Sequence, residues 1–236
     1  MKSAFFLAAA MLAAPAFADD LSFNASLTSD YRYRGISQSR LLPAVQGGAD
    51  FASAATGWYV GAWASTIHWT RDAGGSGRVE LDVYAGKRGQ LTEDISYDAG
   101  VLAYVYKGRL PGLDNPDTTE LYAQLGYGPA TLKYSHCVTN LFGFVDSRNS
   151  GYLDLGANID AGAGYTVNLH AGHQRVQNNS ASDYSDWKLG VTRNLGLASV
   201  QLAAVGTDAG KTAYASPANG KFLGKRALQL TVSRTF

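Results

Sequence analysis

Cysteine is nearly absent from this chain of 236 residues, with Cys137 the only one. A single thiol excludes an internal disulfide and any multi-cysteine metal site, so it reads as an incidental free thiol. An excess of charge is missing too. Lys+Arg total 20 and Asp+Glu 19, which leaves a nucleic-acid partner without an electrostatic basis. Past the first 18 residues no apolar run approaches the roughly 20 residues that a membrane-crossing helix needs. No long segment holds a 3.6-residue apolar period either. Helical membrane proteins and all-α folds are thereby set aside.

The chain is rich instead in glycine and aromatics, with 27 Gly, 14 Tyr, 9 Phe and 4 Trp, placed in short segments where apolar and polar residues alternate. Successive side chains of a strand point to opposite faces, so this period of two means strands with one apolar and one polar side. The stretch Ala227 to Phe236 shows it clearly. Leu228, Leu230, Val232 and Phe236 share one parity and Gln229, Thr231, Ser233 and Thr235 the other, with Arg234 the one break in the apolar row. In a closed barrel such a last strand must pair with the first, since otherwise two edges stay open. Ending on Phe236 also resembles the C-terminal signal of bacterial outer-membrane barrels, which implies the barrel-assembly machinery as a partner.

The N-terminus fits export. Lys2 is followed by an apolar run from Ala4 to Ala14, then Pro15 and Ala16-Phe17-Ala18 before Asp19-Asp20. That is the layout of a secretory signal peptide over residues 1–18. No cysteine stands at the cleavage point, so a lipid-anchored lipoprotein is not expected. Removing Lys2 leaves a formally neutral mature chain, residues 19–236.

Along that chain, Leu21 to Arg34 alternates throughout. Phe23, Ala25 and Leu27 continue into Tyr31 and Tyr33, while Asn24, Ser26 and Thr28 continue into Asp30, Arg32 and Arg34. One strand with its two tyrosines in an interfacial girdle is the expectation. Further strands are expected around Val45 to Phe51, Trp58 to Trp69, Val79 to Ala85, Ile95 to Val105, Leu121 to Tyr127, Leu132 to Tyr134, Leu153 to Ile159, Val167 to Ala171, Trp187 to Val191 and Val200 to Ala204. Trp58 to Trp69 has no clear facing. The connections alternate long and short, the longest being Thr207 to Lys225. About twelve strands result; ten or fourteen also accommodate the weakly patterned Trp58 to Trp69 and Thr131 to Thr139. An even count with loop lengths sorted to two rims is what an antiparallel transmembrane β-barrel requires, whereas a Greek-key sandwich has no reason to sort them. The expectation is an all-β chain, a bacterial outer-membrane barrel in contact with lipid and lipopolysaccharide.

Three stretches carry a family resemblance: Thr28 to Ser39 (T-S-D-Y-R-Y-R-G-I-S-Q-S), Pro43 to Gly48, and Gly57 to Gly61 with Trp63-Ala64-Ser65. With these the chain resembles the TorF family of outer-membrane porins, and the likeness continues through Leu132 to Ser135, His170 to His173 and Tyr184 to Val191. His136 and Cys137 depart from that family's more tyrosine-rich run. The resemblance implies an outer-membrane barrel with a pore and little more, and no catalytic motif carries over from it; the expectation is a channel for small hydrophilic solutes, with no cofactor and no metal-ligand cluster.

Asp30, Arg32, Arg34, Glu80, Asp82, Glu120, Lys133, Asp154 and Lys188 all fall on the polar parity of their expected strands. A charge facing lipid near the midplane costs roughly 2 to 4 kcal/mol, so these residues are candidates for a pore lining of mixed sign. The same set could instead form an ion-pair network that plugs the lumen, because about twelve strands lie between the filled eight-stranded barrel and the 16-stranded channel. A closed barrel with a structural or surface role in Lys107 to Asp117, Asn140 to Ser150 and Thr207 to Lys225 is the competing reading. Ser135, His136, His170 and His173 raise a lipid hydrolase. Neighbours Ser135 and His136, however, must face opposite sides of a strand and cannot act as nucleophile and base together. The chain is therefore not expected to be an enzyme.

Overall fold

A computed structural model describes residues 20–107, 110 and 115–236. The expected signal peptide lies outside the described residues, as does part of the loop expected from Lys107 to Asp117. Strand β1 (Asp20–Thr28) is followed by a small hairpin, β2 (Arg32–Tyr33) and β3 (Ile36–Ser37). Then come β4 (Ala44–Ala52), β5 (Trp58–Thr66), a helical turn α1 (Trp69–Asp72), β6 (Val79–Gln90), β7 (Ile95–Tyr106) and β8 (Thr118–Tyr127). The chain continues through β9 (Ala130–Cys137), β10 (Gly151–Gly162), β11 (Tyr165–Arg175), β12 (Tyr184–Asn194), β13 (Ser199–Thr207) and β14 (Ala227–Thr235). Among the described residues, twelve strands, β1 and β4 to β14, form one closed antiparallel barrel in sequence order.

Connections sort by length as the alternation implies. Residues 53–57, 91–94, 128–129, 163–164 and 195–198 turn at one end, and the longer segments, among them 29–43, 67–78, 138–150 and 208–226, gather at the other. Closure is made by β1 and β14, which pair from Asn24 opposite Thr235 to Thr28 opposite Thr231. Phe236 completes the seam: its N–H donates to the Phe23 carbonyl at 2.8 Å, and the Phe23 N–H donates back at 3.3 Å.

The two faces of the wall are inverted relative to a water-soluble fold. Leu21, Phe23, Leu27, Val60, Val83, Leu121, Leu155, Leu202 and Leu230 stand exposed on the outside, while Glu80, Asp82, Glu120, Ser135, Gln174 and Asp186 are buried inside. Large apolar residues outside and polar ones inside are what a lipid-facing barrel shows. The aromatic stretch of β5 takes the same rule, with Trp58 and Val60 outward and the half-buried Tyr59 and Trp63 on the inward parity.

One expectation is corrected. The first strand ends at Thr28, not Arg34, and Tyr31 and Tyr33 are not in a lipid-facing girdle. Tyr31 is buried, and Tyr33 packs against the same interior cluster. The cause is a set of short polar side chains: Ser37 donates to Asp30 Oδ1 at 2.5 Å and Ser39 donates to it at 3.3 Å. These bonds turn the chain inward directly after Thr28.

Deleting Phe236 removes the reciprocal bonds that finish the seam and is expected to lower the yield of heat-modifiable, folded barrel, read by gel shift after refolding. Leu155→Arg, on the exposed outer face at the middle of β10, should cost about 2 to 4 kcal/mol of stability in lipid. Gln124→Arg, on the lumen parity of β8, should cost far less. Urea titration in lipid vesicles measures both, and equal costs would contradict the assignment of faces.

Candidate functional site: the lumen and its inward hairpin

Residues 29–43 leave the rim and fold into the barrel. At the tip, Arg34 (φ 47°) and Gly35 (φ 78°) form the two-residue turn between Tyr33 and Ile36, and left-handed backbone at both positions is the type I′ geometry that suits a hairpin. A side chain at Gly35 would also collide with Thr207 and Asp186, with the Asp186 Cβ only 2.8 Å from an added Cβ. The tip therefore packs against the wall at β12 and β13. Behind it, Arg32 donates to Asp30 at 2.7 Å, to the Gly35 carbonyl at 2.9 Å and to the Lys225 carbonyl at 2.8 Å. The rim end is fastened by the Arg40–Asp72 ion pair and by the His68 N–H, which donates to the Gln38 carbonyl at 2.9 Å. Burial, and then the nearby guanidiniums of Arg40 and Arg71, hold the His68 imidazole below its ordinary range.

Arg34 crosses the lumen. Its guanidinium donates to both carboxylate oxygens of Glu120 on β8, at 2.9 and 2.7 Å, and to Gln174 on β11 at 2.7 Å. Its Cζ lies 4.1 Å from the centre of the Tyr152 ring, a cation–π contact. Only 8% of the Arg34 side chain and 1% of that of Glu120 are exposed, so neither charge is met by bulk water and each depends on the other. Tyr33 donates to Tyr104 at 3.2 Å, Tyr104 to Glu120 at 3.4 Å and the Cys137 thiol to Glu120 at 3.5 Å. On the neighbouring wall, Glu80 accepts from Tyr31 and, at 2.5 Å, from Tyr106. Edge-to-face contacts of Tyr33, Tyr104 and Phe142, with ring centres 5.2 to 5.5 Å apart, fill the space between.

Of the residues singled out from sequence, Arg34 and Glu120 meet directly, as do Asp30 and Arg32. Asp30, Arg32 and Arg34 reach the interior on the hairpin rather than on the barrel wall, and Arg32 and Arg34 do not line one wall together: they have separate partners. Glu80 and Asp82 project inward from β6 and are buried. Lys133, Asp154 and Lys188 lie on the half-buried inner faces of β9, β10 and β12. Sequence reasoning missed Tyr104, Tyr152, Gln174 and Asp186 as parts of the network, although each lies on the inward parity. His170 is also inside, between Asp154 at 3.1 Å and Asp186 at 2.8 Å. Ser135 is buried, whereas His136 lies on the other face, 3.2 Å from Asn149.

The half of the lumen nearer the short turns is lined differently. Tyr59, Tyr84 and Tyr122 project inward but lie flat, each over a glycine of the next strand. An added Cβ would come within 2.6 Å of the Tyr59 Cζ at Gly86, 2.6 Å of the Tyr84 Cζ at Gly61 and 2.9 Å of the Tyr122 Cζ at Gly100. The hydroxyls hold the rings down: Tyr59 bonds Asp98 and Tyr122, and Tyr84 donates to Asp50 at 2.5 Å. These side chains are half-buried, whereas around the hairpin Tyr31, Glu80, Tyr104, Tyr106, Glu120, Tyr152 and Gln174 are buried.

Removing one partner of a buried ion pair leaves the other uncompensated. Arg34→Ala is expected to cost about 3 to 5 kcal/mol, and adding Glu120→Gln should recover much of that loss. Urea unfolding of the two variants in vesicles measures the difference; a double variant no more stable than Arg34→Ala would contradict the pairing.

The sequence from residue 12 to residue 236 matches the model of a family described as "Bacterial protein of unknown function (Gcw_chp)". No curated protein matches it in sequence. Among solved structures, the KdgM porin superposes with a TM-score of 0.57 over 92% of this chain and 97% of its own, at 7% identity. The NanC porin does so with a TM-score of 0.56 over 92% and 98%, at 10% identity. At such identities the similarity is one of fold, that of outer-membrane porins, and the family match over most of the length shows that the chain belongs to the Gcw_chp family.

Proposed function

We propose that the protein is an outer-membrane channel through which small hydrophilic solutes or ions diffuse, narrowed by the inward hairpin of residues 29–43. The observation that carries this reading is the lining of the short-turn half. Its polar side chains are half-buried rather than packed, and its tyrosines lie along the wall instead of across the bore. The resemblance to the TorF porins and the fold shared with KdgM and NanC support the same reading. A solved complex of KdgM contains oligogalacturonate, so a barrel of this shape accommodates a sugar chain. In the outer membrane the termini and short turns face the periplasm and the long loops face outward, towards lipopolysaccharide. Export by the signal peptide and insertion through the last strand and Phe236 complete this reading. Asp30, Arg32, Arg34, Glu80, Asp82 and Glu120 would form the constriction, and Lys133, Asp154 and Lys188 the wider bore.

A second reading, a closed barrel with a structural or surface role, is favoured by one specific observation: Arg34 is pinned across the lumen to Glu120 and Gln174. Planar-bilayer recording separates the two. The wild type is expected to give a small steady conductance, and replacing residues 31–39 by a short Gly-Ser linker should raise it. Selectivity should be weak, because charge at a constriction decides it and Arg34 and Glu120 cancel there; Arg34→Ala should move the reversal potential towards cations. Current from the linker variant alone would support the closed barrel, and no current from either folded protein would overturn the channel.

A further inference from the structure

Arg234, the one break in the apolar row of the last strand, has no role in the lumen, because that row faces outward. Charge is sorted by sign across the wall. Among the described residues, every Asp and Glu on the twelve barrel strands has the inward parity, from Asp20 on β1 to Asp186 on β12. The Lys and Arg residues on outward positions of those strands are Lys87, Arg175, Arg193 and Arg234, all exposed. Three of these four stand at the short-turn end, each beside an aromatic ring. Lys87 is opposite Trp58 in the register and Arg193 is opposite Tyr165. The Lys87 ammonium lies 5.8 Å from the centre of the Trp58 ring, the Arg193 Cζ 4.5 Å from that of Tyr165 and the Arg234 Cζ 4.7 Å from that of Phe236. Arg193 donates from one nitrogen to the Tyr165 hydroxyl. Lys87 and Arg234 donate to no described residue. In the turns beyond these strands, Leu91, Leu195 and Leu197 are exposed as well.

We propose that the short-turn rim binds anionic phospholipid, with headgroup phosphates at Lys87, Arg193 and Arg234. A base that faces lipid is costly at the midplane and nearly free at the interface, so position alone permits these three. It does not explain the missing carboxylates, because Asp and Glu are less costly there than Arg and Lys. An anionic partner does. The exposed leucines carry the membrane surface past the three bases, so headgroups rather than bulk water meet them. A guanidinium stacked on a ring keeps N–H donors at its edge, in the fork that suits two phosphate oxygens. A zwitterionic headgroup brings its own ammonium, which the bases repel; an anionic one does not. With the short turns towards the periplasm, the leaflet concerned is the inner one, built of phospholipid.

This inference goes beyond the channel reading and needs only a folded barrel in a bilayer, so a protein that passes no current leaves it standing. The barrel, checked by heat-modifiability, is placed in phosphatidylcholine bilayers with spin-labelled phosphatidylglycerol or spin-labelled phosphatidylcholine. Electron spin resonance then measures the share of each probe held at the protein. Phosphatidylglycerol is expected to be favoured about two- to threefold at low salt. The preference should fall to near parity in about 1 M salt, and also when Lys87→Gln, Arg193→Gln and Arg234→Gln are combined. Arg175→Gln, at the other rim, should keep most of it. If the triple variant does not fold, Arg193→Gln with Arg234→Gln decides. Equal association of the two probes with folded wild type overturns the proposal, as does a preference undiminished by the rim substitutions. Loss of the preference in Arg175→Gln alone overturns it by moving the lipid to the other rim. Stronger displacement of the probe by lipid A than by phosphatidylglycerol, per phosphate, overturns it by naming another occupant.

Discussion

Closure of the sheet is the constraint from which the rest follows. A strand edge facing hydrocarbon has no water to satisfy its N–H and C=O groups, and each unsatisfied group costs several kcal/mol. Here the debt is removed at one seam, where β14 pairs with β1 and Phe236 exchanges two backbone bonds with Phe23. With an even number of antiparallel strands, both ends of the described chain fall on the short-turn side, and the long segments gather at the other rim. A charge or a leucine then has its place set by parity alone.

A closed barrel of this size leaves more interior than wall side chains fill, since eight strands are just filled and 16 to 18 leave a channel. The protein meets this in two ways along its axis. In the long-loop half, a piece of the chain enters the lumen and is locked by buried ionic and aromatic contacts, with Arg34 at the centre. Towards the short turns, tyrosines are laid against glycines and the bore stays lined by half-buried polar groups. The first solution depends on a buried ion pair whose desolvation is offset only by its fork of hydrogen bonds. Its geometry is correspondingly specific: Lys in place of Arg34 could not serve Glu120 and Gln174 from one plane.

The solved porins that share the fold do so with few shared residues. KdgM and NanC match over nearly their whole length, yet only 7% and 10% of the residues are identical. Function within such a fold resides in the lining and in whatever folds into it, not in the barrel.

The strands and the alternation of their connections were legible in the chain because they rest on a local rule. Leu153, Leu155 and Ile159 against Asp154 and Asn158 state which face is wet without reference to any other strand. The same rule put Glu80, Asp82, Glu120, Lys133, Asp154 and Lys188 inside. It failed at Thr28, because Asp30, Tyr31, Arg32 and Tyr33 alternate as well in a short inward hairpin as in the continuation of β1. Alternation says nothing about where a strand stops. That is settled by Ser37 and Ser39 converging on Asp30, and by Arg34 finding Glu120 and Gln174, partners 86 and 140 positions away. The tyrosine–glycine pairs are hidden for the same reason, since Tyr122 and Gly100 become neighbours only through the pairing of β7 with β8. A periodicity in the chain assigns each residue to a side of the wall; which residues meet across the lumen depends on register and closure, which no local pattern encodes.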